Sequence, residues 1–359
     1  MRVAFVLGTT SGGTGRYVRM LVEGLVRRGH RVVVIGPPSV EEQFSYARAG
    51  ARFSAVAVSD RPHPANDLRT ALAIRRLTRD ADIVHAHGLR AGALAALGKT
   101  GGPRLVVTLH NALTAGGFVG LVYGVLERIV ARRADHVLVV SPDLGAGMAR
   151  LGARDVRAAV VPAPRLRPAG RTPREVRDEL DAGDRPVLLT IARLAQQKGL
   201  ETLLDVAAGP WPSEQPLFVV AGEGPLRGEL QSRIEAERLP VVLLGNRDDV
   251  PDLLGAAVAL VMPSRWEGQP LTLREALMSG TPAIASDVGG IPEILGDAGI
   301  LVRAGDVDGF RGAVQALVAP GAAETLSAVA ARRGREMPGD DDAVESVLAV
   351  YEGRDPKDD

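Results

Sequence analysis

Along the first half of the chain, short unbroken apolar runs alternate with longer stretches in which apolar and charged positions interleave. The runs are VAFVLG (3–8), RVVVIG (31–36), FSAVAV (53–58), DIVHAH (82–87), RLVVTLH (104–110), HVLVVS (136–141) and AAVVPAP (158–164). Between them lie stretches with helical spacing, such as YVRMLVEGLVRRG (17–29) and DLRTALAIRRLTRD (67–80). Strands that are apolar on both faces must be covered on both faces. Alternation with helices therefore predicts a parallel sheet with helices on either side.

The pattern pauses over RLRPAGRTPREVRDELDAGDRP (165–186), where three prolines and many charges leave few apolar positions. This segment reads as an interdomain linker. The pattern restarts at PVLLTIARL (186–194) and continues through LFVVAG (217–222), VVLLG (241–245), VALVMPS (258–264), TPAIASD (281–287) and GILVRAG (299–305). Helical spacing fills the gaps at 199–208, 226–239, 249–257, 272–280 and 307–319. The expected architecture is α/β, with two Rossmann-like doubly wound domains facing each other across a cleft. The N-terminal domain spans 1–165, the linker 166–185 and the C-terminal domain 186–340. A helix over 341–353, apolar on one face, is read as returning to the N-terminal domain. In open α/β sheets, ligands gather at the carboxyl ends of the strands, so the site is expected in the cleft.

Composition narrows this only a little. The 359 residues are 46% hydrophobic with a mean hydropathy of +0.07, as in ordinary globular proteins. With no cysteine, disulfides, thiolate metal sites and a cysteine nucleophile are excluded. The apolar run near the start is too short for a signal-peptide core, and no window approaches the ~18 apolar residues of a spanning helix. A cytoplasmic location is expected. Charge changes the picture more. Residues 1–170 hold 24 Lys and Arg against 11 Asp and Glu, whereas 171–359 hold 19 against 32. Two readings stay open: two domains that attract across a cleft, or a basic half that meets an anionic acceptor or the inner face of a membrane. Only Lys99, Lys198 and Lys357 of the 43 basic residues are lysine, which draws attention to Lys198.

Four stretches carry candidate chemistry. GTTSGGTGRY (8–17) follows the first strand and opens a helix, so its backbone N–H groups can meet a phosphate. It lacks the Lys-Ser/Thr of a P-loop and the GxGxxG spacing of a dinucleotide fingerprint. IARLAQQKGLETLL (191–204) puts Arg193 and Lys198 between a strand end and a helix start, which suits a diphosphate. RWEGQPLTLREALMSG (265–280) puts Glu267 in the loop at a strand's mouth and Glu275 about one turn into the next helix. Carboxylates there can grip paired hydroxyls of a sugar or ribose, or serve as an acid/base couple. His110 in VVTLHN stands at a strand end. His85 and His87 in DIVHAHG alternate along a strand and read as core or structural residues.

Read in order, these motifs resemble glycosyltransferase family 4, the retaining enzymes of GT-B fold, over roughly residues 2–352. The resemblance rests on SGGTGRYVRMLVEGLVRRGHRVVVIG, IVHAHG, VVTLHN, VSPDL, ARLAQQKGLETLL, VVAGEGPLRGELQ, VLLGNRDDVPDLL and PSRWEGQPLTLREALMSGTPAIASDVGGIPEIL. The last holds the family's E-x7-E signature in context.

The resemblance implies that Glu267 holds donor-sugar hydroxyls and Glu275 the ribose. Arg193 and Lys198 would clamp the diphosphate beside Gly268 and the amides of Leu271 and Thr272. Gly12 and Gly13 would approach the donor phosphates, Asn246 and Arg247 the base, and His110 the donor sugar. It implies no metal, no cofactor and no nucleic-acid partner. The substrates would be a nucleotide-diphosphate sugar and a hydroxyl acceptor, lipid-linked or small. Gln269 and Pro270 depart from the usual sequence after Glu-Gly, and Pro270 removes one backbone donor near the sugar. Two alternatives remain: a non-catalytic donor-binding paralogue acting as a partner subunit, and a sugar-nucleotide epimerase on the same fold.

Overall fold

The computed structural model describes residues 1–10, 12–58, 64–99, 101–111, 117–163, 166–212 and 215–354. The chain forms two compact units. Unit 1 comprises Met1–Pro162 and Pro338–Asp359, and unit 2 comprises Ala163–Met337.

Unit 1 runs β1 (Arg2–Leu7), α1 (Gly13–Arg27), β2 (Arg31–Gly36), α2 (Pro38–Phe44), β3 (Arg52–Ala55), α3 (Pro64–Leu77), β4 (Ile83–His87), α4 (Leu89–Gly98), β5 (Arg104–Leu109), α5 (Gly117–Arg133), β6 (His136–Val139), α6 (Pro142–Arg150) and β7 (Val156–Ala158). Its sheet is parallel, in the order β3-β2-β1-β4-β5-β6-β7. The central strands are buried along nearly their whole length because helices lie on both faces. Separate apolar clusters fill the two faces, one around Phe5, Leu21 and Leu25 and the other around Val6, Leu94 and Val107.

Unit 2 runs α7 (Pro173–Glu179), β8 (Val187–Ile191), a 3-10 turn (Gln196–Lys198), α8 (Leu200–Ala207), β9 (Leu217–Ala221), α9 (Arg227–Glu237), β10 (Val241–Gly245), α10 (Val250–Ala256), β11 (Ala259–Met262), α11 (Leu271–Met278), β12 (Ala283–Ser286), α12 (Ile291–Leu295), β13 (Gly299–Val302), α13 (Val307–Val318) and α14 (Ala322–Arg335). Its parallel sheet has the order β10-β9-β8-β11-β12-β13. Again one apolar cluster sits on each face.

The last helix, α15 (Asp340–Glu352), belongs to unit 1 and packs on α1. Ala343, Val344, Val347 and Tyr351 enter the core there. Gly24 permits the approach, since a Cβ on it would stand 2.4 Å from a methyl of Val344. Arg28 adds an ion pair to Asp341 at 3.1 Å, which is exposed and so contributes little.

Two expectations change. The strand expected at 158–164 is instead the short β7 over Val156–Ala158, and Pro162 beyond it has no N–H to offer a ladder. The segment read as linker holds α7. Proline stands at its first turn and Thr172 and Glu175 close a capping box, with Glu175 N–H donating to Thr172 Oγ1 at 3.3 Å. Helix α10 anchors its start, because Gly170 N–H donates to Asp252 Oδ1 at 2.6 Å. No single helix among the described residues is long and apolar enough to cross a membrane.

Candidate active site

In unit 2 the strand order reverses between β8 and β11. The chain leaves β8 toward β9 and β10, then returns to build β11 to β13 on the other side. Loops leaving such a switch point diverge and leave a crevice at the strands' carboxyl ends. The β8–α8 loop carries Arg193 and Lys198, and the β11–α11 loop carries Glu267 and Gly268. The fold thus puts next to each other two motifs that lie 69 residues apart in sequence.

The two loops are tied together. Lys198 Nζ donates to Glu267 Oε1 at 2.6 Å, and Ser264 Oγ donates to the same oxygen at 2.7 Å. Arg265 N–H donates to the Gln197 carbonyl at 2.8 Å, and Gln197 Nε2 donates to the Trp266 carbonyl at 2.8 Å. Gly199 turns the chain after Lys198 at φ 62°. A Cβ there would lie 2.0 Å from the Pro263 carbonyl oxygen, so only glycine lets these loops meet.

Glu267 is 5% exposed. A buried carboxylate is costly unless paired and hydrogen-bonded, and Lys198 and Ser264 supply both. Both reach Oε1. Oε2 has no hydrogen bond among the described residues and is not a buried unpaired atom. It is free to accept from a ligand hydroxyl. An ammonium has three donors, so Lys198 keeps donors beyond the one given to Glu267. Arg193 lies exposed in the same loop, and its guanidinium makes no hydrogen bond or ion pair among the described residues.

Helix α11 starts directly after this loop. Its first helical bond runs from Arg274 N–H to the Pro270 carbonyl at 3.4 Å, which leaves the N–H groups of Leu271 and Thr272 without intrahelical partners. No side chain caps them. Glu275, half-buried, sits one turn further on. Two loops at the carboxyl ends of β9 and β12 support the arrangement. Leu194 N–H donates to the Glu223 carbonyl at 3.0 Å, and a Cβ on Gly222 would stand 1.9 Å from the Ala192 carbonyl oxygen. A Cβ on Gly289 would stand 1.8 Å from the Glu267 carbonyl oxygen.

Asn246 and Arg247 follow β10, two strands from the switch point, and Asn246 is exposed. Arg247 is engaged with protein: Nε donates to Asp249 Oδ1 at 2.7 Å and one amino group to Glu179 Oε1 at 2.9 Å. The Arg247 guanidinium holds the Asp249 and Glu179 carboxyls below their ordinary values.

Unit 1 carries the remaining predicted residues. Its sheet reverses between β1 and β4. Gly12 caps α1 at φ 66°, and the first helical bond, Arg16 N–H to the Gly12 carbonyl at 3.3 Å, leaves the Gly13 amide without an intrahelical partner. His110 directly follows β5, half-buried. Its Nε2 lies 3.0 Å from Nδ1 of His87, with the two ring planes 20° apart and their centroids 5.3 Å apart. Beneath them, His85 bonds the Tyr351 hydroxyl through Nδ1 and Thr108 through Nε2, both at 2.7 Å. Tyr17 meets His87 and His110 edge-on. Burial pushes His110 down to about 4 and His85 to about 3, and holds His87 well below the usual histidine range. The cluster is therefore neutral near pH 7.

Sequence reasoning missed Ser264, Gly199, Gly222 and Gly289, which hold the site without being its obvious chemistry. It also left His85 and His87 apart from His110. The signals were present in MPS after a strand, KGL, AGEG and VGG, but none shows its partner without the fold. Among the described residues, no group of three or more His, Cys, Asp or Glu side chains is placed to hold a metal ion.

Residues 12–164 match the model of a glycosyl transferase 4-like domain, and residues 185–319 that of glycosyl transferases group 1. The chain is 28% identical over 331 residues to an alpha-D-kanosaminyltransferase of Streptomyces kanamyceticus, covering 79% of this chain and 85% of that one. It is 29% identical over 372 residues to a glycogen synthase of Mycobacterium tuberculosis, covering 90% of this chain and 86% of that one. The fold is that of Anabaena HepE in complex with UDP, with a TM-score of 0.80 and 18% identity over 98% of this chain and 100% of that one. The two-domain architecture expected from the sequence is the GT-B fold.

Proposed function

The chain is a glycosyltransferase of the GT-B type, and from that premise we propose a retaining enzyme of family 4 that uses a nucleotide-diphosphate sugar. The observation that carries this is the Lys198–Glu267–Ser264 cluster at the switch point of unit 2, with one carboxylate oxygen still free. Lys198, the unpaired Arg193 and the amides of Leu271 and Thr272 form one cationic end, suited to a diphosphate. Oε2 of Glu267, next to Gly268, would accept from a sugar hydroxyl. Glu275 would take the ribose hydroxyls, as the family resemblance implies. The UDP held by Anabaena HepE makes a uridine nucleotide the first to try.

Catalysis then lies in charge and position. The bond from the anomeric carbon to the diphosphate breaks as the acceptor hydroxyl attacks from the same face. A diphosphate oxygen takes the acceptor proton, and the cations stabilise the departing nucleoside diphosphate. The family resemblance also implies that His110, Gly12 and Gly13 touch the sugar and phosphates, and Asn246 and Arg247 the base. For Arg247 this requires an exchange of its bonds to Asp249 and Glu179. No metal or cofactor enters this scheme. The experiment is to incubate the protein with UDP-, GDP- and ADP-sugars and a panel of hydroxyl acceptors, and to read the anomeric configuration of the product by NMR. Retention supports the reading, and inversion removes it.

The acceptor side includes a membrane surface. On unit 1, α3, α4 and α5 expose Leu68, Leu72, Leu97, Leu121 and Val125 among Arg69, Arg75, Arg76, Arg79, Arg128, Arg132 and Arg133, which are also exposed. This mixture suits a peripheral contact with an anionic bilayer carrying a lipid-linked acceptor. Binding to anionic vesicles should fall steeply with salt. Absence of binding at low salt would leave a small soluble acceptor.

A further inference from the structure

His87 is 4% exposed, and its Nε2 is buried without a partner. Its other nitrogen, Nδ1, meets Nε2 of His110 at 3.0 Å. Nδ1 of His110 is neither hydrogen-bonded among the described residues nor a buried unpaired atom, so it is open to a ligand. A neutral imidazole carries one N–H and one lone pair. The contact between the rings needs one N–H, so two arrangements exist. In one, His110 Nε2–H donates to His87. His87 must then keep its own proton on Nε2, as a buried N–H with no acceptor. In the other, His87 Nδ1–H donates to His110, the unpaired buried atom is a bare lone pair, and His110 carries its proton on the open Nδ1. Orphaned buried N–H groups are the rarer and costlier case.

We infer that His87 is a positioning residue that fixes the tautomer of His110, so that His110 presents an Nδ1–H donor to the bound substrate and no base. The inference rests on the reading that His110 faces the sugar. It gives that contact a direction: the partner atom on the substrate is an oxygen that accepts. The hydrogen bond between the two nearly coplanar rings, 20° apart, and the Tyr17 ring edge-on to both limit His110 to small rotations. The Tyr351–His85–Thr108 bonds in turn brace the strand that carries His87. A group held in this way needs no reorientation when the substrate arrives.

The test uses the full-length protein labelled with ¹⁵N at histidine. Long-range proton–nitrogen correlation at pH 7 reports which ring nitrogen of each histidine carries the proton, and His110→Asn assigns the signal. The expected result is His110 protonated on Nδ1 in the wild type. In His87→Leu, His110 should shift toward an Nε2–H or mixed state. His87→Asn keeps an amide donor near the old Nδ1 and should restore the wild-type pattern. In parallel, kcat for sugar transfer should fall on the order of tenfold to a hundredfold in His87→Leu with KM for the donor little changed, and recover in His87→Asn. His110 protonated on Nε2 in the wild type overturns the inference, whether or not any variant folds. So does a tautomer that His87→Leu leaves unchanged. If the protein transfers no sugar while the tautomer is as inferred, the functional reading fails and the tautomer assignment stands.

Discussion

The two units share a strand order and a switch point, yet they finish it differently. In unit 2 the switch is closed by charge: Lys198, Glu267 and Ser264 meet at 2.6 and 2.7 Å, and glycines press neighbouring loops onto carbonyls. In unit 1 the corresponding end is closed by neutral rings, with His85, His87, His110, Tyr17 and Tyr351 packed edge-on or hydrogen-bonded and two polar atoms, Tyr17 Oη and His87 Nε2, left unpaired. Charge belongs where a leaving diphosphate must be neutralised. A neutral donor suits a sugar, which offers hydroxyls and no net charge. On the proposed reading, the same scaffold divides the work by what it places at one topological position.

The largest effect should come from breaking the charged side. Lys198→Ala leaves Glu267 buried and unpaired, at a cost of about 3–5 kcal/mol of stability. Sugar transfer should fall more than about a hundredfold, since a charge clamp at the leaving group goes with it. Denaturant titration and an initial-rate assay measure the two losses. An unchanged midpoint would mean that the pair does not form in solution.

The neutral side should break with acid. His85 and His110 titrate near the ordinary value of about 6.5 when unfolded but at about 3 and about 4 when folded. The unfolded state therefore binds more protons between these values, and stability falls as pH drops from about 6.5 toward 4. At pH 5 the loss is on the order of 2 kcal/mol for each of His85 and His110. Amide exchange at β1, β4 and β5 should quicken accordingly, while β8 and β11 change less. Equal quickening in both units would erase the contrast.

Gly199→Ala should cost about 2 kcal/mol through its positive φ and its contact with the Pro263 carbonyl, lowering Tm and weakening donor binding together. The smallest effect is expected for the stability of His87→Leu, within about 1 kcal/mol, because an unpaired buried polar atom leaves along with one hydrogen bond.

Much of this fold was legible as text. The strands of unit 2 stand where VVLLG, LFVVAG and VALVMPS place them, because fully apolar runs end at glycine or proline. Helix α4 escaped notice because LRAGALAALG has no polar face, so its buried turns show no period. Helix α7 hid in a charged segment, although its Thr172-Pro-Arg-Glu175 start is a capping box that can be read directly. At the site, Lys198 and Glu267 were visible as residue types, but their bond was not, since a contact across 69 residues leaves no local pattern. The same holds for His87 and His110, which two neighbouring strands bring together. His85 and His87 do share a strand face by alternation, but sequence could not show that His110 completes the cluster.

The central claim is that the charged cluster of unit 2 binds a nucleotide sugar. The most direct test is thermal unfolding of the wild type, Lys198→Ala and Glu275→Ala with UDP, GDP, ADP and their sugars. A nucleotide at ~100 times its dissociation constant should stabilise the wild type by about 2.7 kcal/mol, and both variants should lose most of that gain. A panel in which no nucleotide stabilises the wild type, or in which the variants respond as the wild type does, would contradict the account.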